Sequence, residues 1–368
     1  MQQQIKETLA RYLTFLNQDE NNLNLLLEVS SMYAELDNIE QAKYYLNKAS
    51  AINREACLAS QGLFHLRQGQ LQEAITLFTE ALEHEDTALV RYNLGFAYYM
   101  DGESPKAWEI LSTIEDEEYV PATRILMARM MHAEGALEEA IRLLEERVPN
   151  YLDNAEVLGF LSLLYFDINN DESAHNLSQH ALQLDPNNYD AQVIDIMLRL
   201  ISQKTSIEEI QHLLQVNPKD SRLWFALGST YMTQGEFPLA IEQFKNTLKI
   251  HSDFYDCYIA LAWSQLLNDE LHEAHETYQN AISLVDDIAD GWGGLAVIYA
   301  LNADLEKADQ LINKAKTLDE ECFLAQIAEV IYLNHKNPQH AKKHLLNVLT
   351  DGNLPIGDKL AKVIEELT

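Results

Sequence analysis

The sequence predicts an all-α fold, an α-solenoid in which helical hairpins stack one after another. Three observations support this prediction. A small residue recurs every 32 to 34 residues, a second small residue follows it at a constant distance, and only 13 glycines and 8 prolines occur among 368 residues. Few helix breakers in a long chain favour helices, and a period of this length is typical of an array of helical repeats.

Two marker positions, one in each helix of a predicted hairpin, follow the repeat along the chain. Small side chains at these positions let two antiparallel helices pack closely. The first-helix markers are Ser30, Gly62, Gly95, Ala128, Ser162, Ile194, Gly228, Ala262, Ala296 and Glu329. The second-helix markers are Ala42, Ala74, Ala107, Ala140, Ala174, Ser206, Ala240, Ala274, Ala308 and Ala341. Twelve residues separate the two markers in all ten hairpins, although Ile194 and Glu329 are not small.

One repeat, which begins at Ser221, shows the pattern most completely. Its first predicted helix carries Trp224, Leu227, Gly228 and Tyr231, and the second follows with Gly235, Phe237, Ala240 and Phe244. This pattern resembles the tetratricopeptide consensus, in which W, L-G, Y, G, A and F recur at fixed offsets. The resemblance covers nearly the whole chain. It implies a right-handed superhelix of about ten helical hairpins with a capping helix at each end.

The turn inside each hairpin needs a residue that tolerates positive φ. Glycine is expected to supply this conformation in four hairpins, and Asp or Asn, the next best residue types, in three others. These residues are Gly69, Gly102, Gly135, Gly235, Asp37, Asn169 and Asp269.

The repeats divide the chain into five segments. Residues 1–22 are predicted to form an amino-terminal capping helix, residues 23–186 repeats one to five, and residues 221–355 repeats seven to ten. Residues 187–220 form an irregular sixth repeat, because Ile194 and Ser206 replace the small residues and the linker SQKTS replaces the glycine turn. Residues 356–368 are predicted to form the carboxy-terminal cap, since terminal repeats need a covered outer face.

The charge and composition narrow the partners that we expect. A net charge of −32 disfavours binding to nucleic acid and to anionic membrane surfaces. It favours a protein or peptide partner that is cationic or amphipathic. The three cysteines form no C-x-x-C, the start lacks a signal-peptide pattern, and no apolar stretch is long enough for membrane insertion. We therefore expect a cytoplasmic protein.

The family resemblance also implies where a partner binds, because positions 2, 5, 9, 12 and 13 of each first helix line the concave face of such arrays. In repeats seven to nine, the predicted partner-binding residues are Arg222, Phe225, Met232, Asp256, Ile259, Trp263, Leu266, Asp290 and Val297. A second aromatic patch upstream contains Tyr92, Phe96 and Tyr99. No Lys or Arg occurs from residue 250 through 306, so the apolar strip has an acidic edge.

Two alternatives to this groove stay open. Apolar stripes of this kind often belong to the core between neighbouring helices, and an acidic edge is often only a solvated surface. We favour the groove for Trp263 and Phe225, because both lie outside the consensus core positions and aromatic residues are common binding hot spots.

No motif for chemistry stands out in the sequence. It contains no glycine-rich phosphate loop, no G-x-S-x-G and no reactive cysteine motif, and the pairs His272/His275 and His340/His344 lack an evident third metal ligand. No catalytic residue, metal site or cofactor is therefore predicted. The expected function is a non-catalytic adaptor that binds a partner helix or peptide. The alternatives are a chaperone for an aggregation-prone or secreted client, and a substrate-recruiting subunit of an enzyme complex.

Overall fold

The computed structural model describes residues 2–115, 118–148, 150–200 and 205–351, and all regular structure within them is helical. The predicted carboxy-terminal cap at 356–368 lies outside the described residues, as does most of the SQKTS linker. The chain divides into two compact units, Met1–Asp185 and Pro186–Thr368.

The amino-terminal unit contains α1 and five hairpins. Their helices are α1 (Gln2–Leu16), α2 (Leu23–Glu35), α3 (Ile39–Ile52), α4 (Leu58–Arg67), α5 (Leu71–His84), α6 (Ala88–Met100), α7 (Ser104–Leu111), α8 (Val120–Ala133), α9 (Leu137–Arg147), α10 (Ala155–Asp167) and α11 (Asp171–Leu184). Helix α1 covers the first hairpin, and its Leu16 packs in a buried cluster with Leu26 and Ala49.

The carboxy-terminal unit also contains five hairpins. Their helices are α12 (Tyr189–Leu200), α13 (Ile207–Val216), α14 (Ser221–Thr233), α15 (Phe237–Ile250), α16 (Tyr255–Leu267), α17 (Leu271–Leu284), α18 (Ala289–Leu301), α19 (Leu305–Leu318), α20 (Phe323–Lys336) and α21 (Pro338–Asp351). The predicted fold class, an all-α solenoid of tetratricopeptide-like hairpins, is confirmed.

The glycine markers lie where the two helices of a hairpin touch most closely. A Cβ atom added to Gly62 would lie 2.6 Å from Phe78 Cε1, and one added to Gly228 would lie 2.7 Å from Phe244 Cδ1. Both phenylalanine side chains are fully buried on the second helix of the same hairpin. The prediction that small residues permit this close approach is therefore confirmed at these crossings.

The predicted turn residues all adopt the left-handed conformation. Gly69, Gly102, Gly135, Gly235, Asp37, Asn169 and Asp269 have φ between 58° and 81°. The ninth hairpin makes the same turn with Ala303, at φ 58°. This residue was not predicted to adopt positive φ, because alanine has neither the freedom of glycine nor a polar side chain that stabilises the turn locally.

Replacing Ala303 with glycine is expected to stabilise the carboxy-terminal unit by about 1 kcal/mol, because an L-residue pays roughly that much to enter the left-handed region. Urea unfolding of the full-length chain measures the change. Gly235→Ala is the matched control, since it places alanine in the same turn of another hairpin and should destabilise the unit by a similar amount. A destabilising effect of Ala303→Gly would contradict this explanation.

The sixth hairpin has a different register from the one predicted. Gln192 Nε2 donates to the carbonyl of Pro186 at 2.8 Å, as Trp224 Nε1 does to the carbonyl of Pro218 at 2.9 Å. The residue equivalent to Gly228 is therefore Ile196, not Ile194. Likewise Ser206 is the N-cap of α13 rather than its fourth residue. The fourth residue of α13 is Ile210, so large side chains occupy both crossing positions of this hairpin, which explains its irregularity.

The tenth hairpin is shifted by one residue. Its first helix begins at Phe323, so the position equivalent to Gly228 falls on Val330, which is fully buried. Glu329, the predicted marker, instead lies beside the crossing. Its carboxylate pairs with Lys316 and lies 3.2 Å from His344 Nε2. The prediction made from a constant spacing of twelve residues therefore did not detect two local changes of register.

Candidate functional site

An aromatic stripe runs along the first helix of the third hairpin. Tyr92, Phe96 and Tyr99 follow one another at intervals of four and three residues, which places them on one face of α6. All three are half-buried and pack against the buried cluster that includes Leu111 and Met127. Met100, at the end of the same helix, is 53% exposed. The stripe is therefore anchored in the core but still open to solvent.

Charged side chains from the next two hairpins lie beside the aromatic stripe. The guanidinium carbon of Arg129 lies 4.2 Å from the centroid of the Phe160 ring, a cation–π contact. Burial raises the pKa of Tyr92, and the negative charge of Glu156 raises it further, while Arg129 lowers it. Tyr92 therefore stays protonated at neutral pH and has both signs of charge in its surroundings.

In the carboxy-terminal unit, three of the predicted apolar residues remain half-buried: Phe225, Met232 and Ile259. The ring centroid of Phe225 lies 4.9 Å from that of Phe254 and 5.7 Å from that of Phe244. Phe225 is thus held rigidly in an aromatic cluster with part of its ring exposed. A rigid, partly exposed aromatic side chain costs little entropy when it contacts a partner.

Three other predicted contact residues of this unit belong to its core. Leu266 and Val297 are fully buried, and Trp263 is only 6% exposed. The expectation that these residues line an open groove is therefore wrong. Each packs in the buried cluster formed by the last three hairpins, so a partner has no access to it in this structure.

The glycines of α18 explain why the strip is closed. A Cβ atom at Gly293 would lie 2.8 Å from the backbone nitrogen of Ala325, so α20 approaches α18 very closely. This approach brings the ring of Phe323 to 6.3 Å from that of Trp263, in an edge-to-face arrangement. This close approach was not predicted, although the unusual run GWGG in a helix is a sequence signal for it.

Arg222 is also less available than predicted, because it forms an ion pair within its own unit. Its Nε and one terminal nitrogen each donate to the carboxylate of Asp220 at 3.0 Å. The same carboxylate caps α14 and accepts a hydrogen bond from Tyr189 at 3.0 Å. Arg222 therefore balances a buried charge at the start of α14.

Asp256 and Asp290 occupy the second position of two successive first helices, α16 and α18. Asp256 is exposed and Asp290 is half-buried. Partial burial raises the pKa of Asp256; for Asp290, burial raises the pKa, and the charges of Asp256 and Asp319 raise it further. The two helix starts also touch, because the hydroxyl of Tyr255, next to Asp256, accepts a hydrogen bond from the backbone N–H of Gly291, next to Asp290, at 3.2 Å.

The three cysteine thiols, Cys57, Cys257 and Cys322, are free and buried. Burial raises the pKa of Cys257 to about 12 and that of Cys322 to about 11. Both thiols are consequently protonated at neutral pH and poorly nucleophilic. Among the described residues, no group of three or more His, Cys, Asp or Glu side chains is arranged to hold a metal ion.

No helix in the described part of the chain has the length and the apolar character that a membrane span needs.

The stacked helical hairpins place the protein in the class of α-helical repeat proteins. Family models described as tetratricopeptide repeat match residues 60–117 and 121–146. These two segments of the chain are therefore similar to tetratricopeptide repeats, whose fold is generally non-catalytic.

Two solved structures illustrate the likeness in fold. The crystal structure of the APC/C hetero-tetramer Cut9-Hcn1 is 17% identical in sequence, with a TM-score of 0.45, and the alignment covers 95% of this chain and 76% of that one. YrrB, described as a tetratricopeptide-repeat protein with an unusual peptide-binding site, is 18% identical, with a TM-score of 0.38 over 48% of this chain and 92% of its own. No curated protein matches the sequence.

Proposed function

We propose that the protein is a non-catalytic adaptor whose first-helix faces bind an amphipathic or cationic segment of a partner protein. The observation that carries this proposal is the aromatic stripe Tyr92, Phe96 and Tyr99, which is anchored in the core yet half-exposed beside the open Met100. Rigid aromatic residues of this kind are the usual anchors of protein interfaces. A partner helix would contact the stripe through side chains spaced three and four residues apart.

The carboxy-terminal unit offers a second contact surface in this proposal. Its accessible members are Phe225, Met232 and Ile259, with Asp256 and Asp290 as acidic neighbours. Because the net charge is −32, the whole chain attracts a basic segment and repels an acidic one, so association should slow as salt is added.

Tyr99→Ala is expected to weaken partner binding about 30-fold, since losing an aromatic hot spot costs about 2 kcal/mol. The measurement is affinity capture with tagged full-length protein, followed by titration of the recovered partner. Tyr44→Ala is the matched control: it removes a tyrosine that is 56% exposed on the second helix α3. If Tyr99→Ala and Tyr44→Ala recover the partner equally well, the stripe is not the binding surface.

The full-length protein and the same variants also distinguish an adaptor function from a chaperone function. An adaptor forms a complex of defined stoichiometry with a folded partner, which gel filtration detects. A chaperone instead suppresses aggregation of an unfolded client, which light scattering detects. The Phe225→Ala/Ile259→Ala variant tests the second surface, whereas Trp263→Ala would mainly test stability because Trp263 is buried.

A further inference from the structure

The amino ends of α16 and α18 bring together two carboxylates that no internal base neutralises. Among the described residues, neither Asp256 nor Asp290 forms an ion pair with Lys or Arg. No Lys or Arg occurs between residues 250 and 306, and Arg222, on the preceding first helix, is bound to Asp220. Cys322 Sγ donates a weak hydrogen bond to Oδ1 of Asp290 at 4.0 Å.

The surroundings of Asp290 also contain hydroxyl groups with unused hydrogen-bonding capacity. Tyr255 accepts a hydrogen bond from the backbone N–H of Gly291 at 3.2 Å, so its own proton remains to be donated. The hydroxyl of Tyr278 is fully buried and has no hydrogen-bond partner within the part of the chain that the structure describes. Native proteins rarely leave such a group unsatisfied, so each case needs an explanation.

The ring of Tyr278 lies against the first turns of α18. A Cβ atom at Gly294 would lie 2.2 Å from Tyr278 Cζ, the ring carbon that carries the hydroxyl. Burial raises the pKa of Tyr278 well above its usual value, and the negative charge of Asp290 raises it further. The orphan hydroxyl and the unneutralised carboxylates therefore share one location.

We infer that Asp256 and Asp290, with Tyr255 and Tyr278 behind them, form a receptor for a single basic side chain, the ammonium group of a partner lysine. This inference rests on the proposed adaptor function and identifies the chemistry of one contact. An ammonium group held between the carboxylates donates to both, and charge-assisted hydrogen bonds of this kind are the strong ones. One water molecule between the ammonium group and Tyr278 would supply the partner that the hydroxyl lacks.

The test uses n-butylammonium, the side-chain analogue of lysine, titrated into the full-length protein at constant ionic strength. Backbone amide NMR shifts of Asp256, Asp290 and Gly291 should move and saturate. n-Propylguanidinium, the side-chain analogue of arginine, is the comparison, and it should bind more weakly than n-butylammonium. Equal or tighter binding of n-propylguanidinium would overturn the assignment to lysine.

Variants decide whether the two carboxylates form the receptor. Asp256→Asn/Asp290→Asn should weaken n-butylammonium binding at least tenfold. The matched control, Asp286→Asn/Asp287→Asn, removes the same charge from two exposed residues just before α18 and should change binding less than twofold. Helix content and urea midpoints of both variants show that each is folded. Equal loss in both variants would reduce the effect to general electrostatics and overturn the inference.

The outcomes also separate this inference from the adaptor proposal. Failure of n-butylammonium to saturate any amide shift removes the lysine receptor. Tyr99 lies in the amino-terminal unit, so the effect of Tyr99→Ala on partner recovery does not depend on whether n-butylammonium binds.

Discussion

Asp220→Ala is expected to destabilise the carboxy-terminal unit by about 3 kcal/mol. The carboxylate is 6% exposed, and it caps α14 by accepting from the backbone N–H of Arg222 at 3.1 Å. It also accepts two hydrogen bonds from the Arg222 side chain and one from Tyr189. When Asp220 is removed, the partly buried guanidinium of Arg222 loses this ion pair. Breaking a buried ion pair in this way destabilises a protein strongly. The lost cap adds to that effect.

Urea unfolding followed by tryptophan fluorescence measures this loss in the full-length chain. Of the four tryptophans, Trp224, Trp263 and Trp292 lie in the carboxy-terminal unit, so a Trp108→Phe background limits the signal to that unit. The matched control is Asp304→Ala, which removes a more exposed N-cap from α19 and should cost about 1 kcal/mol. An Asp220→Ala effect no larger than the control would mean that the buried pair contributes nothing.

The Asp220 contribution should also depend on pH. Burial raises the pKa of this carboxyl group, but the hydrogen bonds and positive charge of Arg222 more than offset it, so the pKa lies below its usual value. A lowered pKa in the folded state means that the stabilisation is complete above the ordinary carboxyl pKa. It is lost as pH falls through the lowered value. The difference between the wild type and Asp220→Asn should therefore shrink in acid.

Gly294→Ala is expected to destabilise the same unit by about 3 kcal/mol, the upper end of the usual range for overpacking. The added methyl group would lie 2.2 Å from both Cε1 and Cζ of Tyr278. The ring cannot move away easily, because Tyr278 is fully buried between α16 and α18. The gain in helix propensity from glycine to alanine, about 1 kcal/mol, offsets only part of this cost.

Two further variants identify the clash as the cause. Gly291→Ala, in the same helix, would meet Ile282 Cγ1 at 2.7 Å, a contact with a flexible side chain that can shift, so its cost should be much smaller. Tyr278→Leu removes the ring atoms that clash, so Gly294→Ala should cost less in that background. A double-mutant cycle gives the coupling between the two residues. Additive effects would indicate that the ring does not cause the destabilisation.

Local chemistry made the hairpins and their turns predictable. Glycine, aspartate and asparagine were expected at positive φ, because few residue types tolerate it, and the structure places them there. Ala303 was not predicted because alanine, which is exposed in this turn, has neither the freedom of glycine nor a polar side chain that favours positive φ. The register of the sixth and tenth hairpins was not predicted correctly either. In these hairpins no small residue marks the crossing, so a regular spacing can select the wrong residue.

The accessible face was only partly predictable. The sequence identified α6 as a helix with an aromatic stripe, and Tyr92, Phe96 and Tyr99 are half-exposed in the structure. It could not show that Arg222 is bound to Asp220, because the ion pair depends on how the turn before α14 folds back onto the helix.

The sequence by itself determined the repeat, the helices and the turns, because each depends on residues close together in the chain. Only the tertiary structure decided which first-helix side chains remain open. Trp263 and Val297 are buried because Gly293 lets α20 approach α18, and Phe323 then packs against Trp263 from two hairpins away. Burial at one repeat thus depends on the distance between neighbouring helices, and side chains from other repeats set that distance.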